Sequence, residues 1–97
     1  MPGSPTPAIT IEFPGALRPY CGGVSELSLA APNLRAVLEE LERRFPFLHR
    51  NLCDETGRLR RHLNLFVNTS LIRNHEDLDA ALAEGDVVTI LPAVSGG

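Results

Sequence analysis

One stretch of this chain has the length and periodicity of a long amphipathic helix, and it limits what the rest can fold into. Its apolar residues recur at the spacing of one helical face: Leu34, Val37, Leu38, Leu41 and Phe45. Asn33 precedes them as a candidate N-cap, and Pro46 follows them as a stop. A lone amphipathic helix must bury its apolar face against another element, so we expect it to cover one face of a sheet.

The segments around this helix have the character of short strands. They share alternating apolar residues bounded by glycine or proline: 8–13, 24–29, 63–68, 71–72 and 86–91. A few helical turns are expected around 78–82. This order predicts an α+β fold and is compatible with a β-grasp sheet, in which the last strand lies between the first and the third. Residues 46–62 are less regular, and Phe47, Leu48 and Leu52 are expected to pack under the end of the helix.

The chain is expected to form one domain. It has 97 residues, which suffice for a single small core. No internal repeat or linker divides it. We therefore expect a disordered leader over 1–7, a β-grasp domain over 8–92 and a flexible tail over 93–97.

Composition excludes several function classes. No apolar run approaches the ~20 residues of a membrane span. A net charge of −3, no tryptophan and one tyrosine argue against a general nucleic-acid binder. Residues 1–7 lack the features of a secretory signal, so we expect a cytoplasmic protein in which Cys21 and Cys53 stay reduced. Neither thiol has a role that the sequence assigns.

The sequence predicts no enzyme. No nucleophile–base arrangement and no phosphate-cradling glycine-rich motif are visible. The three histidines, His49, His62 and His75, are too scattered for a metal site. We expect the chain to catalyse no reaction by itself.

The most informative feature is Gly96-Gly97 at the end of the sequence. Two glycines there arise by chance about once in 200 sequences. They follow the small residues Ala93 and Ser95, with Val94 between them, after Pro92 has left the sheet. Residues 93–97 reach at most ~16–18 Å when extended. A thin arm with a free carboxylate suits an enzyme that threads it into a slot beside ATP, because glycine has no Cβ to crowd the reacting carbonyl.

The pattern resembles the ubiquitin-like sulfur-carrier family (MoaD/ThiS-like), and in particular its carrier for cysteine biosynthesis. The resemblance spans residues 9–97. It depends on L-R-P at 17–19 with G-G at 22–23, on F-V-N at 66–68 and above all on 85–97, which end V-T-I-L-P-A-V-S-G-G. Ser95 stands where alanine is more usual in the family, a change between small residues.

That resemblance implies a function. An adenylating enzyme related to the ubiquitin-activating enzymes would use MgATP to activate Gly97, and sulfur would then replace the adenylate to give a thiocarboxylate. For the cysteine branch the resemblance implies two further partners, a pyridoxal-phosphate-dependent cysteine synthase and a zinc (JAMM-type) peptidase. The chain itself would bind no cofactor and would serve as a protein co-substrate.

A docking surface is expected beside the tail. If Leu65 and Ile90 face the helix, alternation turns Phe66, Thr89 and Leu91 to the opposite face. The third and last strands are neighbours in a β-grasp sheet, so these residues would form an exposed patch next to the arm. Leu17 and Pro19 of the first loop are expected to extend it.

Three alternatives to this function stay open, of which one is a plain protein-interaction domain with an inert tail. Within the family, the chain would instead be the small subunit of molybdopterin synthase and deliver sulfur to a pterin. In a different class, it would be a ubiquitin-like modifier, although all nine cationic residues are arginine and no lysine is available to receive a chain.

Two interpretations of a basic stretch also stay open. The residues Arg58, Arg60, Arg61 and His62 either steer acidic partners or form a solvated loop, and the sequence alone favours the loop.

Overall fold

The computed structural model of the chain describes residues 6–92. The helices are α1 (Leu34–Arg44) and α2 (Pro46–Leu52), with two 3-10 helices at Gly15–Cys21 and His75–Asp79. The strands are β1 (Ala8–Glu12), β2 (Glu26–Ala30), β3 (Leu63–Val67), β4 (Ser70–Leu71) and β5 (Val87–Pro92). Most of the predicted leader, residues 1–5, and all of the predicted tail, 93–97, lie outside the described residues.

The five strands form one mixed sheet in the order β2-β1-β5-β3-β4. β5 runs parallel to β1 and antiparallel to β3, so Val88 lies between Ile11 on one side and Val67 on the other. The predicted position of the last strand, between the first and the third, is confirmed. The α+β, β-grasp fold is confirmed with it.

α1 begins and ends where the sequence predicts. The Oδ1 of Asn33 accepts a hydrogen bond from the Ala36 N–H at 2.8 Å, which caps the first turn. The helix ends at Arg44, and the Phe45 N–H still donates to the Leu41 carbonyl at 2.7 Å. The buried face of α1 joins the sheet in a single core: Leu34, Val37, Leu38 and Leu41. One face of the sheet is therefore covered, and the other is left open.

The sequence did not predict α2. Pro46 stops α1 but occupies the first turn of α2, where its missing N–H has no helical partner to lose. Leu48 and Leu52 are buried under α1, as expected, whereas Phe47 is 65% exposed. The expectation that Phe47 packs inward is wrong because residues one and five places further on occupy the inward face of α2.

Hydrogen bonds tie the turn after β3 to the start of β5. Asn68 has a φ of 55°, in the left-handed region that asparagine tolerates better than most residues. Its Nδ2 donates to Asp86 Oδ1 and its Oδ1 accepts from the Val87 N–H, both at 3.0 Å. The Oδ2 of Asp86 accepts from the Ala83 N–H at 2.8 Å. These contacts fix where β5 begins, and hence its register against β3.

Acid is expected to weaken the fold through Asp86. The hydrogen bond from the Ala83 N–H, and then that from the Asn68 side chain, lower the pKa of Asp86. Such a carboxylate contributes stability that is fully present above its unfolded pKa of about 3.9 and is lost as the pH falls through the folded pKa. We expect Asp86→Asn to be less stable near neutral pH and to lose less stability on acidification, as measured by urea unfolding. An equal loss of stability on acidification in the variant and in the wild type would contradict this prediction.

Candidate functional site

The open face of the sheet carries the predicted docking residues. Phe66 lies opposite Thr89 across β3 and β5, and Leu91 lies opposite Asn64. Phe66 and Leu91 are therefore diagonal neighbours on one face, within reach of each other. Leu91 is 44% exposed, and Phe66 and Thr89 are half-buried. The structure brings these three residues together, and their role in docking stays a prediction.

A fourth residue joins them from the edge strand. Leu71 of β4 pairs with Phe66, which places it on the same face. Sequence reasoning missed Leu71 because a two-residue strand has no periodicity from which to read a face. We call Phe66, Leu71, Thr89 and Leu91 the open-face patch.

The patch has an acidic margin on the β1 side. The Thr89 hydroxyl donates to Glu12 Oε1 at 3.3 Å. Glu12 in turn pairs with Glu26 of β2, so two carboxylates border the patch there. A partner that covers the apolar centre therefore meets negative charge along this border.

Leu17 is not part of the exposed surface. It is 6% exposed and belongs to the core, so the expectation that it extends the patch is wrong. The loop that carries it forms a 3-10 helix, and Leu17 and Cys21 are the residues that this helix buries. Pro19 lies in the same helix and is exposed. Pro19 stays a predicted contact.

Other apolar side chains are exposed in this loop. Tyr20 and Val24 both belong to the connection between β1 and β2. β1 and β5 run parallel, so both strands finish at the same end of the sheet. The connection that follows β1 therefore begins at the end of the sheet where β5 finishes. Sequence reasoning did not select either residue, although Tyr20 is the one tyrosine of the chain and lies two residues before a glycine pair.

Pro92 is the last described residue, and its place in the sheet fixes where the tail begins. It pairs in register with Leu63, so β5 extends one residue further than the sequence predicted. The predicted tail residues, Ala93, Val94, Ser95, Gly96 and Gly97, lie outside the described residues. Five residues reach at most ~16–18 Å from Pro92. An enzyme that acts on Gly97 must therefore approach this end of the sheet.

The two cysteines are buried free thiols. The Sγ of Cys21 lies 3.5 Å from the Arg18 carbonyl oxygen, to which it donates. Burial, reinforced by the nearby Asp54 carboxylate, raises the pKa of the Cys53 thiol to about 11. Burial also raises the pKa of Cys21. Since the thiolate is the nucleophile, neither group is suited to covalent chemistry near neutral pH.

Both thiols are expected to resist alkylation in the folded protein. Iodoacetamide near neutral pH should leave Cys21 and Cys53 unmodified, and it should modify both after addition of denaturant. Mass spectrometry with peptide mapping would measure this. Alkylation of either cysteine at the rate of a free thiol in the folded protein would contradict its burial.

Within residues 6–92, no group of three histidine, cysteine, aspartate or glutamate side chains is placed to hold a metal ion. Neither helix in that range combines the length and the apolar character of a membrane span.

Comparisons of sequence and of structure with known proteins point to the same family. The sequence profile of the ThiS family matches residues 11–97. The sulfur carrier protein CysO of Mycobacterium tuberculosis is 40% identical over 91 residues, which cover 92% of this chain and 98% of CysO. Its crystal structure superposes with a TM-score of 0.79 at 39% identity, covering 89% of this chain and 99% of CysO.

Two further solved structures are similar. One is the Amycolatopsis orientalis BexX/CysO complex, matched with a TM-score of 0.78 and 31% identity over 92% of this chain and 99% of that chain. The other is the small archaeal modifier protein 1 of Methanosarcina acetivorans, with a TM-score of 0.79 and 27% identity over 97% of this chain and 100% of the modifier.

Proposed function

The chain belongs to the ThiS family of ubiquitin-like proteins, and from this membership we propose that it is a sulfur carrier for cysteine biosynthesis, loaded at Gly97. The observation that carries the proposal is the 40% identity to the sulfur carrier CysO over nearly the whole of both chains. The family match also extends through residue 97, so it includes the glycine pair. Like these relatives, the chain is a carrier rather than a catalyst.

Loading at Gly97 follows a simple chemical logic. A carboxylate resists nucleophiles because it is already negative and has no good leaving group. In the proposed first step, a Gly97 oxygen attacks the α-phosphorus of ATP and pyrophosphate leaves. In the second, sulfur at the oxidation level of sulfide attacks the acyl carbon and AMP leaves. The product is a thiocarboxylate, whose sulfur is a nucleophile held on a protein.

In this proposal the chain's own residues bind the adenylating enzyme and position Gly97. The open-face patch gives an adenylating enzyme an apolar surface whose Leu91 is one residue from Pro92, where the described chain ends. Docking there would keep Gly97 within ~16–18 Å of Pro92, the greatest distance that five extended residues can span. Such positioning turns attack on ATP into an effectively intramolecular step.

Downstream, we propose two partners that bring the cofactors. A pyridoxal-phosphate-dependent cysteine synthase would take the sulfur, and a zinc (JAMM-type) peptidase would release the cysteine left on Gly97. Support for partner binding as such comes from the relative in Amycolatopsis orientalis, whose structure is a complex with BexX. Identity favours the cysteine branch over the modifier role, since the archaeal modifier is 27% identical and CysO 40%.

An acceptor assay tests the cysteine branch. The sulfur-loaded carrier would be incubated with a cysteine synthase of this class and an activated serine, and in parallel with the large subunit of a molybdopterin synthase and its pterin precursor. We expect the first mixture to give a carrier heavier by one cysteine at Gly97. Consumption of the sulfur only in the pterin mixture would overturn the proposed acceptor, and lysine-linked conjugates would indicate a modifier.

A further inference from the structure

A groove rimmed by arginines lies between the loop before β3, the edge strand β4 and α1. It has a volume of about 570 Å³. Six apolar residues belong to its lining, of which Leu59 and Ile72 are partly exposed and the other four are buried in the core: Leu38, Leu59, Leu63, Leu65, Ile72 and Leu78. Its rim carries four cations: Arg58, Arg60, Arg61 and Arg73. We call it the arginine groove. Asp54 is the one carboxylate among the described residues that line it.

Within the described part of the chain none of these arginines forms an ion pair, although Arg60 lies close enough to Asp54 to help lower the pKa of that carboxylate. The ion pairs there engage Arg35, Arg43 and Arg44, which all lie on α1. In the arginine groove, Arg60 donates from Nε to the Arg50 carbonyl oxygen at 2.8 Å, which fixes its position without cancelling its charge. The lining therefore holds four positive charges against one negative, on a chain whose net charge is −3.

The arginine groove adjoins the end of β5. Leu63, in its lining, pairs with Pro92, and Asn64, also in its lining, pairs with Leu91. Leu71 belongs both to the arginine groove and to the open-face patch. A partner bound to the open-face patch would therefore reach the arginine groove across Leu71.

We propose that the arginine groove binds an acidic protein segment with interspersed apolar side chains, supplied by the enzyme that acts on Gly97. This inference rests on the proposed function. Guanidinium groups pair with carboxylates through two parallel hydrogen bonds, and Arg58, Arg61 and Arg73 leave those positions free. Apolar side chains of the segment would cover the leucine-rich lining. Charge complementarity of this kind speeds the encounter and selects the partner.

The position of Arg73 bears on the two interpretations that the sequence left open. Arg58, Arg61 and Arg73 are all exposed, and all three line the same concavity although Arg73 comes after β4 in the chain. This convergence favours the partner-binding interpretation.

The first test compares sulfur loading of charge-neutralised variants. The triple variant R58Q/R61Q/R73Q keeps Arg60, whose hydrogen bond is structural. With the adenylating enzyme of the source organism, we expect its KM to rise about tenfold at low salt with kcat unchanged, and the difference to shrink as salt is added. A KM equal to that of the wild type would overturn the inference.

A matched control removes the same charge elsewhere. R43Q/R44Q/R50Q also lowers the net charge by three, but it does so at the end of α1 and on α2, outside the groove lining. We expect its KM to stay close to that of the wild type. An equal rise in both variants would show that net charge alone matters, which would also overturn the inference.

A second test does not depend on the proposed function. Isotope-labelled protein would be titrated, by NMR, with a synthetic peptide of alternating glutamate and leucine. A matched peptide with glutamine in place of glutamate and an RNA oligonucleotide would serve as comparisons. We expect shifts at 58–65 and 71–74 with the acidic peptide alone. Absence of these shifts, or stronger binding of the RNA, would overturn the inference even if Gly97 loads with sulfur. If Gly97 does not load but the shifts appear, the groove inference stands and the proposed function fails.

Discussion

A carrier that lacks Gly96 and Gly97 is expected to load no measurable sulfur, a loss of about 100-fold or more in rate. The deletion shortens the tail by ~7 Å, so its new carboxylate no longer reaches a site built for the longer arm. The described fold should be unaffected, since the deleted residues lie outside 6–92. Intact mass after incubation with the adenylating enzyme, MgATP and a sulfide source measures the loss.

A substitution at residue 97 distinguishes the effect of tail length from the effect of side-chain size. Gly97→Ala keeps the reach of the tail but adds a Cβ beside the reacting carbonyl. We expect it to load more slowly than the wild type and faster than the truncated chain. If the truncated chain loaded sulfur at the wild-type rate, Gly97 would not be the residue that carries the sulfur.

The second large effect is expected at the open-face patch. Leu91→Asp places a charge in the centre of the proposed contact, and we expect kcat/KM for sulfur loading to fall about 30-fold, the loss typical of a central interface residue. Stability should change little, because Leu91 is 44% exposed and outside the core. Steady-state loading kinetics and urea unfolding of the same sample measure the two quantities separately.

Phe47→Asp is the matched control for this variant. Phe47 is the more exposed of the two side chains and lies on α2, over the covered face of the sheet. We expect the same substitution there to leave kcat/KM unchanged. If both variants lose activity equally, or neither does, the open-face patch is not the docking surface.

The sequence predicted the elements whose local signals agree with one another. α1 has a capping asparagine, an apolar stripe and a proline stop, and each indicates the same boundaries. The order of elements also restricted the position of β5, because a single crossing helix leaves few mixed sheets available. Alternation then placed Phe66 and Leu91 on the open face without further information.

The errors arose where one residue supports two structures. Pro46 ends one helix and begins the next, and only the packing of Leu48 and Leu52 distinguishes the two cases. Leu17 lies among residues typical of a turn, so its inward direction depends on a 3-10 helix that the sequence does not signal. The arginine groove could not be predicted because Arg73 is 15 residues from Arg58 along the chain, and the two line the same groove only in the folded structure.

The measurement that tests the central claim most directly is the intact mass of the full-length carrier, before and after incubation with its adenylating enzyme, MgATP and a sulfide source. The account predicts an increase equal to the replacement of one oxygen atom by one sulfur atom, located at Gly97 by fragmentation. Because Cys21 and Cys53 are buried, the new sulfur should also be the only group in the folded protein that iodoacetamide alkylates rapidly. An unchanged mass, obtained with an enzyme that loads another carrier of the family, would contradict the account.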